Sequence, residues 1–338
     1  MTEYTETCSL SPTHDTIDYM SKQTRISVER ARTLLKEYSE ALEVLAEATA
    51  KSVVRVGPQG DWGWHGGGTG FVSGPDGLVT TADHVVRRTR TPKVSLQDGK
   101  SFEAKVVGRD PFTDVAVLKV DAPTLEPLPF GDSEKLRLGQ LVLAVSNPRG
   151  LQPSVTAGIV SGVGRSFQGW WGRNIENTVI SDIALYPGSS GGPLVNSDGQ
   201  VVGLNIATFP PARSISVPSK TVKTVTDQLV TEGRVRRAYL GVAGQPIQLT
   251  PKLAQKAGLS RDSGIMLYSV EDESPADKAQ LSIGDILVSF GGKPVEDLDD
   301  LHRLLMSDQI GKSIEAQVLR GGQRLDLKVT PGELPNRQ

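Results

Sequence analysis

The run Pro187-Gly188-Ser189-Ser190-Gly191-Gly192-Pro193 is the segment of this sequence best suited to chemistry. A serine nucleophile in acyl transfer must present its hydroxyl on a tight turn, with backbone N–H groups converging on the oxyanion that develops. Glycines on either side of the serine let the chain turn and leave room for a substrate carbonyl. The spacing Gly-x-Ser-Gly-Gly-Pro favours Ser190 over its neighbour Ser189, with the N–H groups of Gly188 and Ser190 as the oxyanion hole. A bare GSSGG string also fits a flexible turn, so the reading depends on a base and an orienting carboxylate elsewhere in the chain.

The chain has four histidines, at 14, 65, 84 and 302. His14 sits in a polar tail, His302 falls on the polar side of an amphipathic segment, and His65 lies in the glycine-rich stretch WGWHGGGTG, which suits a surface loop. His84 follows the apolar run LVTTAD directly, at a strand end where an imidazole can be held fixed. Asp114 opens the apolar run DVAVLKV, where one carboxylate edge would be buried; Asp110, ahead of a proline, suits a turn. The order His84, Asp114, Ser190, each in a fitting local context, points to nucleophilic catalysis by a serine triad.

These residues need a scaffold, and the pattern from Ser52 to about Val217 supplies one. Short β-rich runs (SVVRV, GTGFVSG, PKVSLQ, EAKVVGRD, QLVLAVS, VTAGIVSGVG, QVVGLNIAT) alternate with turns such as GPDG, QDG and SDG, which predicts an all-β barrel or sandwich. Upstream, Val28, Ala31, Leu35, Tyr38, Leu42 and Leu45 recur at steps of three and four, the mark of an amphipathic helix ending near Ala50. Such a stripe can pack on the following domain or form a short coiled coil. A second helix is expected over Ser219–Glu232, then a basic connector over 233–237. From Ala238 on, a strand (IMLYSV), a helix bearing Leu298, Leu301, Leu304 and Leu305, and two alternating strands (SIEAQVL, RLDLKV) predict a compact α+β unit.

The motifs TADHVV, DPFTDVAVLKV, AVSNPRG, VTAGIVSGVGR and PGSSGGPLVNSDGQVVGLN together resemble the protease domain of the HtrA (Deg) family, and AYLGV with SPADKAQLSIGDILVSFGGKPV resembles its PDZ domain. The resemblance implies a mainly β protein with a chymotrypsin-like double β-barrel (51–232) and a PDZ domain (238–332); ahead of them the polar, aperiodic residues 1–25 read as a flexible tail and 26–50 as the amphipathic helix. Implied in turn are an ATP-independent serine endopeptidase of unfolded or PDZ-recruited proteins, and C-terminal peptides bound at Tyr239, Leu240, Gly241 and Val242. A homo-oligomer, a trimer in such families, is also implied, as are loops around 167–173 and 208–214 that rearrange on activation. Ala184, six residues before the serine, would floor the specificity pocket and select small or medium aliphatic side chains. Ala82, Ser146 and Ser189 depart from the family's usual Asn, Gly and Asn. The alternative is a chaperone-like or scaffolding PDZ protein with a dormant protease.

Bulk composition narrows the field further. Lys and Arg total 37 against 39 for Asp and Glu, so no global field attracts nucleic acid. The single cysteine, Cys8, allows no intramolecular disulfide and no thiolate metal site. GGGTG at 66–70 lacks the Lys-Ser/Thr of a phosphate loop and reads as a hairpin, so no cofactor is expected. No run approaches the ~18 apolar residues of a membrane span. The first twenty residues have no basic start, no apolar run and no small-residue cleavage site, which predicts a cytoplasmic protein, or an exported one if translation starts further upstream.

Overall fold

The computed structural model describes residues 26–58, 67–122, 125–148, 152–168, 174–209, 213–259, 261–305 and 307–334. Cys8, His14, His65, Trp170 and Trp171, with parts of the two loops expected to rearrange, lie outside the described residues.

Two six-stranded closed barrels follow one another. The first comprises β1 (Val53–Gly57), β2 (Gly68–Gly74), β3 (Leu78–Ala82), β4 (Lys93–Ser95), β5 (Ser101–Asp110) and β6 (Val115–Val120). The second comprises β7 (Leu141–Ser146), β8 (Ser154–Gln168), β9 (Asn174–Ser181), β10 (Pro193–Asn196), β11 (Val201–Phe209) and β12 (Arg213–Pro218). The first closes in the order β1-β2-β3-β6-β5-β4 and the second as β7-β8-β9-β12-β11-β10, the same path in each barrel's own count. Closure leaves no sheet edge to pair with another chain.

Where the barrels meet, strands are apolar on both faces because each face meets a different core. Side chains alternate along a strand. In the first barrel Val54, Val56, Val72, Val79, Ala116 and Leu118 fill the interior, while their neighbours Val53, Phe71, Val115 and Val117 face the second barrel. In the second barrel Val142, Ala144 and Leu194 point inward, and Leu143, Val145 and Val195 join the shared core between the barrels. That shared core holds the two halves of the site in register.

Helix α1 (Val28–Ala50) starts at Ser27, whose hydroxyl accepts from Arg30 N–H at 3.1 Å. Only its C-terminal end packs on the barrels, through Leu42, Leu45 and Ala46. Val28, Leu35 and Tyr38 on the same stripe stay 70, 68 and 48% exposed, so the stripe is divided between packing and solvent. His84 lies within a helical turn, α2 (Asp83–Val86), rather than at the end of β3 itself. Helix α3 spans Ser219–Glu232 as expected, burying Val222, Val225 and Leu229 on the shared core.

The C-terminal unit contains β13 (Ala238–Tyr239), β14 (Val242–Gln248), α4 (Pro251–Lys256), β15 (Ser263–Val270), α5 (Pro275–Lys278), β16 (Ile286–Phe290), β17 (Lys293–Pro294), α6 (Leu298–Leu304), β18 (Ile314–Arg320), β19 (Gln323–Val329) and β20 (Gly332–Glu333). Strands β14-β15-β16-β18-β19 form one sheet with β17 alongside β16, and β13 pairs with β20. Its core gathers Leu240, Ile265, Leu267, Leu287, Phe290, Leu301 and Val318. Asp285 is buried there with its carboxylate forked by Arg320, at 2.7 Å from Nε and 2.8 Å from Nη2.

Candidate active site

The three residues singled out in the sequence come from opposite sides of the cleft: His84 and Asp114 from the first barrel, Ser190 from the second. Asp114 uses both carboxylate oxygens on one residue. Its Oδ1 accepts the His84 backbone N–H at 2.9 Å, and its Oδ2 lies 2.6 Å from His84 Nδ1. A carboxylate facing Nδ1 requires that nitrogen to donate, which leaves the Nε2 lone pair available to accept a proton. Asp114 adopts φ 58°, a left-handed conformation that aspartate tolerates better than most residues. Its own carbonyl accepts the Asp83 N–H at 3.0 Å, which locks the start of α2 to the start of β6.

Two further carboxylates brace this region. Asp83, 4% exposed, accepts Arg109 Nε at 2.6 Å, and Arg109 Nη1 reaches the Arg87 carbonyl at 3.3 Å, so the guanidinium spans both ends of α2. Asp110, 3% exposed, accepts from Thr113 Oγ1 and from Arg237 Nη2, both at 2.6 Å. Arg237 also lies 4.9 Å over the Phe112 ring. Asp110 thus closes the turn ahead of Asp114 and ties it to the connector. Sequence reasoning missed both arginines, whose only signal was their presence next to, or far along from, buried acids.

Ser190 sits on the turn after β9, partly exposed, and its Oγ lies 3.3 Å from the Ile206 carbonyl. Among the described residues that long bond, rather than one to the His84 ring, is the hydroxyl's hydrogen bond; such sites commonly align only when substrate is bound. Ser189, the rival nucleophile, is 2% exposed and donates to Ser146 Oγ at 3.0 Å, so it cannot meet a substrate. Gly191 has φ 88°, and a Cβ there would fall 2.1 Å from the Thr69 carbonyl oxygen. Gly188 has φ 91° and packs on Pro148, where a Cβ would come within 2.8 Å of Pro148 Cβ. Only glycine fits either position. The N–H groups of Ser189, Gly191 and Gly192 donate to the carbonyls of Tyr186, Asn205 and Ser189, whereas those of Gly188 and Ser190 have no acceptor among the described residues.

Ala184 is exposed on the segment between β9 and the serine turn, next to the buried Ile183. Asp182 accepts the Ile159 N–H at 2.7 Å and so is engaged in holding β8. In the C-terminal unit, Glu271 and Ala276 donate to the carbonyls of Gly241 and Leu240, each at 2.8 Å. In a trans peptide the N–H opposes the C=O, so the Gly241 and Val242 amides face away from those partners. Tyr239 Oη is hydrogen-bonded to Glu271. Among the described residues no cluster of His, Cys, Asp and Glu could hold a metal ion, and no helix is long and apolar enough to cross a membrane.

Paired barrels of identical path with a His–Asp pair on one lip and a Gly-x-Ser-Gly-Gly turn on the other define a trypsin-like peptidase; the trypsin-like peptidase domain family matches residues 68–204 and the PDZ domain family residues 238–330. The chain is 39% identical over 274 residues to a DegP-like protein of Marinomonas sp. (strain MWYL1), covering 80% of this chain and 57% of that one, and 38% identical over 277 residues to its counterpart in Halomonas elongata, covering 80% and 57%. Among solved structures it is similar to the HtrA-type protease AlgW with a tripeptide (31% identity, TM-score 0.74, 86% of this chain and 97% of that one) and to the serine endoprotease from Yersinia pestis (30%, 0.70, 86% and 97%). The chain belongs to the HtrA-type serine protease family. It spans a little over half the length of the DegP-like relatives.

Both DegP-like relatives are named probable periplasmic serine endoproteases. That overturns the expectation of a cytoplasmic protein, which rested only on the make-up of the first twenty residues.

Proposed function

We propose that the chain is a serine endopeptidase acting through His84, Asp114 and Ser190. The observation that carries this reading is the double use of the Asp114 carboxylate on His84, which fixes both the position and the tautomer of the imidazole. Ser190 Oγ attacks the scissile carbonyl carbon while His84 Nε2 takes its proton. The resulting oxyanion is received by the Gly188 and Ser190 N–H groups, each such donor contributing roughly 2.7–4 kcal/mol in the transition state. The intermediate collapses to an acyl-enzyme as His84 passes the proton to the departing amine. Water, deprotonated by the same Nε2, then attacks the ester; the acid product leaves and Ser190 recovers its proton. No step calls for ATP or a cofactor.

The exposed Ala184, uncharged, supports cleavage after small or medium aliphatic residues such as Val, Ala or Leu. Digestion of a peptide library tests this: a preference for Lys or Arg contradicts it. The Tyr239–Val242 segment, with the Gly241 and Val242 amides facing away from Glu271 and Ala276, suits capture of a C-terminal carboxylate while the peptide adds a strand beside β14. Unfolded proteins and proteins recruited by their C-termini are the substrates this pairing serves. The outward Val28, Leu35 and Tyr38 of α1 are apolar surface on which copies of the chain would associate, as a trimer; light scattering that finds only monomer removes this part.

One observation favours the second reading, a chaperone-like PDZ protein with a dormant protease: the free Ser190 hydroxyl is directed to the Ile206 carbonyl. Turnover of casein by the wild type and by Ser190→Ala separates the two, since a holdase protects equally in both.

A further inference from the structure

Thr69, on β2 of the first barrel, has no exposed surface, yet makes four hydrogen bonds, three of them to the second barrel and two of those to its serine turn. Its N–H donates to the Ser190 carbonyl at 2.8 Å and its carbonyl accepts from Thr81 Oγ1 at 2.6 Å. Its hydroxyl donates to the Gly188 carbonyl at 2.7 Å and accepts the Asn147 N–H at 3.1 Å. The backbone bond could come from any residue at this point of β2. The hydroxyl bond could come only from a residue with a short side-chain donor.

What that hydroxyl does follows from the peptide planes. The plane joining Gly188 to Ser189 is held at both ends: its C=O by Thr69 Oγ1, its N–H by the Tyr186 carbonyl at 2.9 Å. The next plane, from Ser189 to Ser190, has its C=O held by the Gly192 N–H at 3.0 Å, which turns the opposed Ser190 N–H toward the cleft. The plane from Pro187 to Gly188 carries the Gly188 N–H and has no such anchor among the described residues. Its orientation is set through Gly188 itself, a residue without a Cβ to restrict rotation. With Gly188 packed against Pro148 at φ 91°, fixing its carbonyl removes one of the freedoms by which the Gly188 amide could turn away from the cleft.

We propose that the Thr69 hydroxyl is a positioning residue for the oxyanion hole: by holding the Gly188 carbonyl from across the barrel interface, it keeps the Gly188 N–H aimed where the oxyanion forms. The proposal rests on the serine-peptidase reading above. Thr69 does not touch the substrate, and its effect falls on the transition state rather than on substrate binding.

The test uses the full chain with Thr69→Val, Thr69→Ala and Thr69→Ser. Val keeps the shape and loses the donor; Ala loses the donor with no bulk to accommodate, should Val misfold; Ser restores the donor. Steady-state kinetics on an aliphatic peptide substrate and the rate of labelling by a fluorophosphonate are read alongside the thermal midpoint. The expected result is a kcat lowered about tenfold to a hundredfold in the folded Val or Ala variant, with KM within about twofold and labelling slowed in step, and recovery to within about threefold of wild type in Thr69→Ser. A folded Val or Ala variant with wild-type kcat overturns the proposal, as does a loss that Thr69→Ser fails to restore. Failure of the underlying reading looks different: the wild type itself then takes no label.

Discussion

Ser189, on the turn ahead of β10, meets Ser146, at the end of the neighbouring strand β7, hydroxyl to hydroxyl at 3.0 Å, both almost wholly buried. Ser146 passes the chain on to the Ser154 carbonyl at 3.3 Å, so each hydroxyl has a partner. They are two of the positions read, from the resemblance of the motifs, as departing from the family's usual residues, and the structure makes them neighbours. One short side chain in place of a longer one is matched by a side chain where the family has none.

Removing one hydroxyl should strand the other. Ser146→Ala is expected to cost about 1–2 kcal/mol by urea denaturation, because the Ser189 hydroxyl is left buried without an acceptor. The double variant with Ser189→Ala should cost less than the sum of the singles, by about 0.5–1.5 kcal/mol. Strict additivity would show that the pair is not coupled.

Asp114→Asn keeps the shape and the tolerance of φ 58°, and replaces an acceptor facing Nδ1 with an amide that can stabilise the wrong tautomer. A loss of about 10⁴ in kcat with little change in thermal midpoint is expected. Loss of folding instead would mean that the carboxylate serves chiefly to hold the start of α2 through the His84 N–H.

The Arg320–Asp285 fork serves the PDZ domain. Hydrogen bonding to Asp285 holds the Arg320 guanidinium above the ordinary arginine value. Asp285 is 1% exposed, also accepts the Ser282 N–H at 2.8 Å, and Arg320 Nη2 reaches the Gln280 carbonyl at 2.7 Å. Arg320→Leu leaves a buried charge uncompensated; with the guanidinium partly in solvent, the expected cost is about 2–3 kcal/mol, below that of a wholly buried pair. A C-terminal peptide titrated against the variant should bind less tightly at temperatures where the domain loosens, and unchanged stability would contradict the assignment.

The strands, the two long helices and the His–Asp–Ser order could all be read from the sequence, because each depends on a local signal: apolar runs between turns, a 3.6-residue period, a glycine-flanked serine. What escaped were contacts between distant segments. Nothing around Thr69 in GTGF suggests that its hydroxyl meets Gly188, 119 residues on. Likewise the Arg109–Asp83 and Arg237–Asp110 pairs depend on a barrel closure that no local window contains. The stripe on α1 was visible, but not where along it packing would stop, since that is set by where the barrel surface ends. Spacing already favours Ser190 over Ser189, but that Ser189 is buried, at 2% exposure, is a matter of packing that spacing does not carry.

The most direct test of the central claim is labelling of the purified chain by a fluorophosphonate, with casein digestion in parallel, in the wild type and in Ser190→Ala. Labelling and digestion in the wild type, both abolished in the variant, are the expected result. A folded wild type that takes no label, or a Ser190→Ala variant that still labels and digests, contradicts the assignment of Ser190 as the nucleophile.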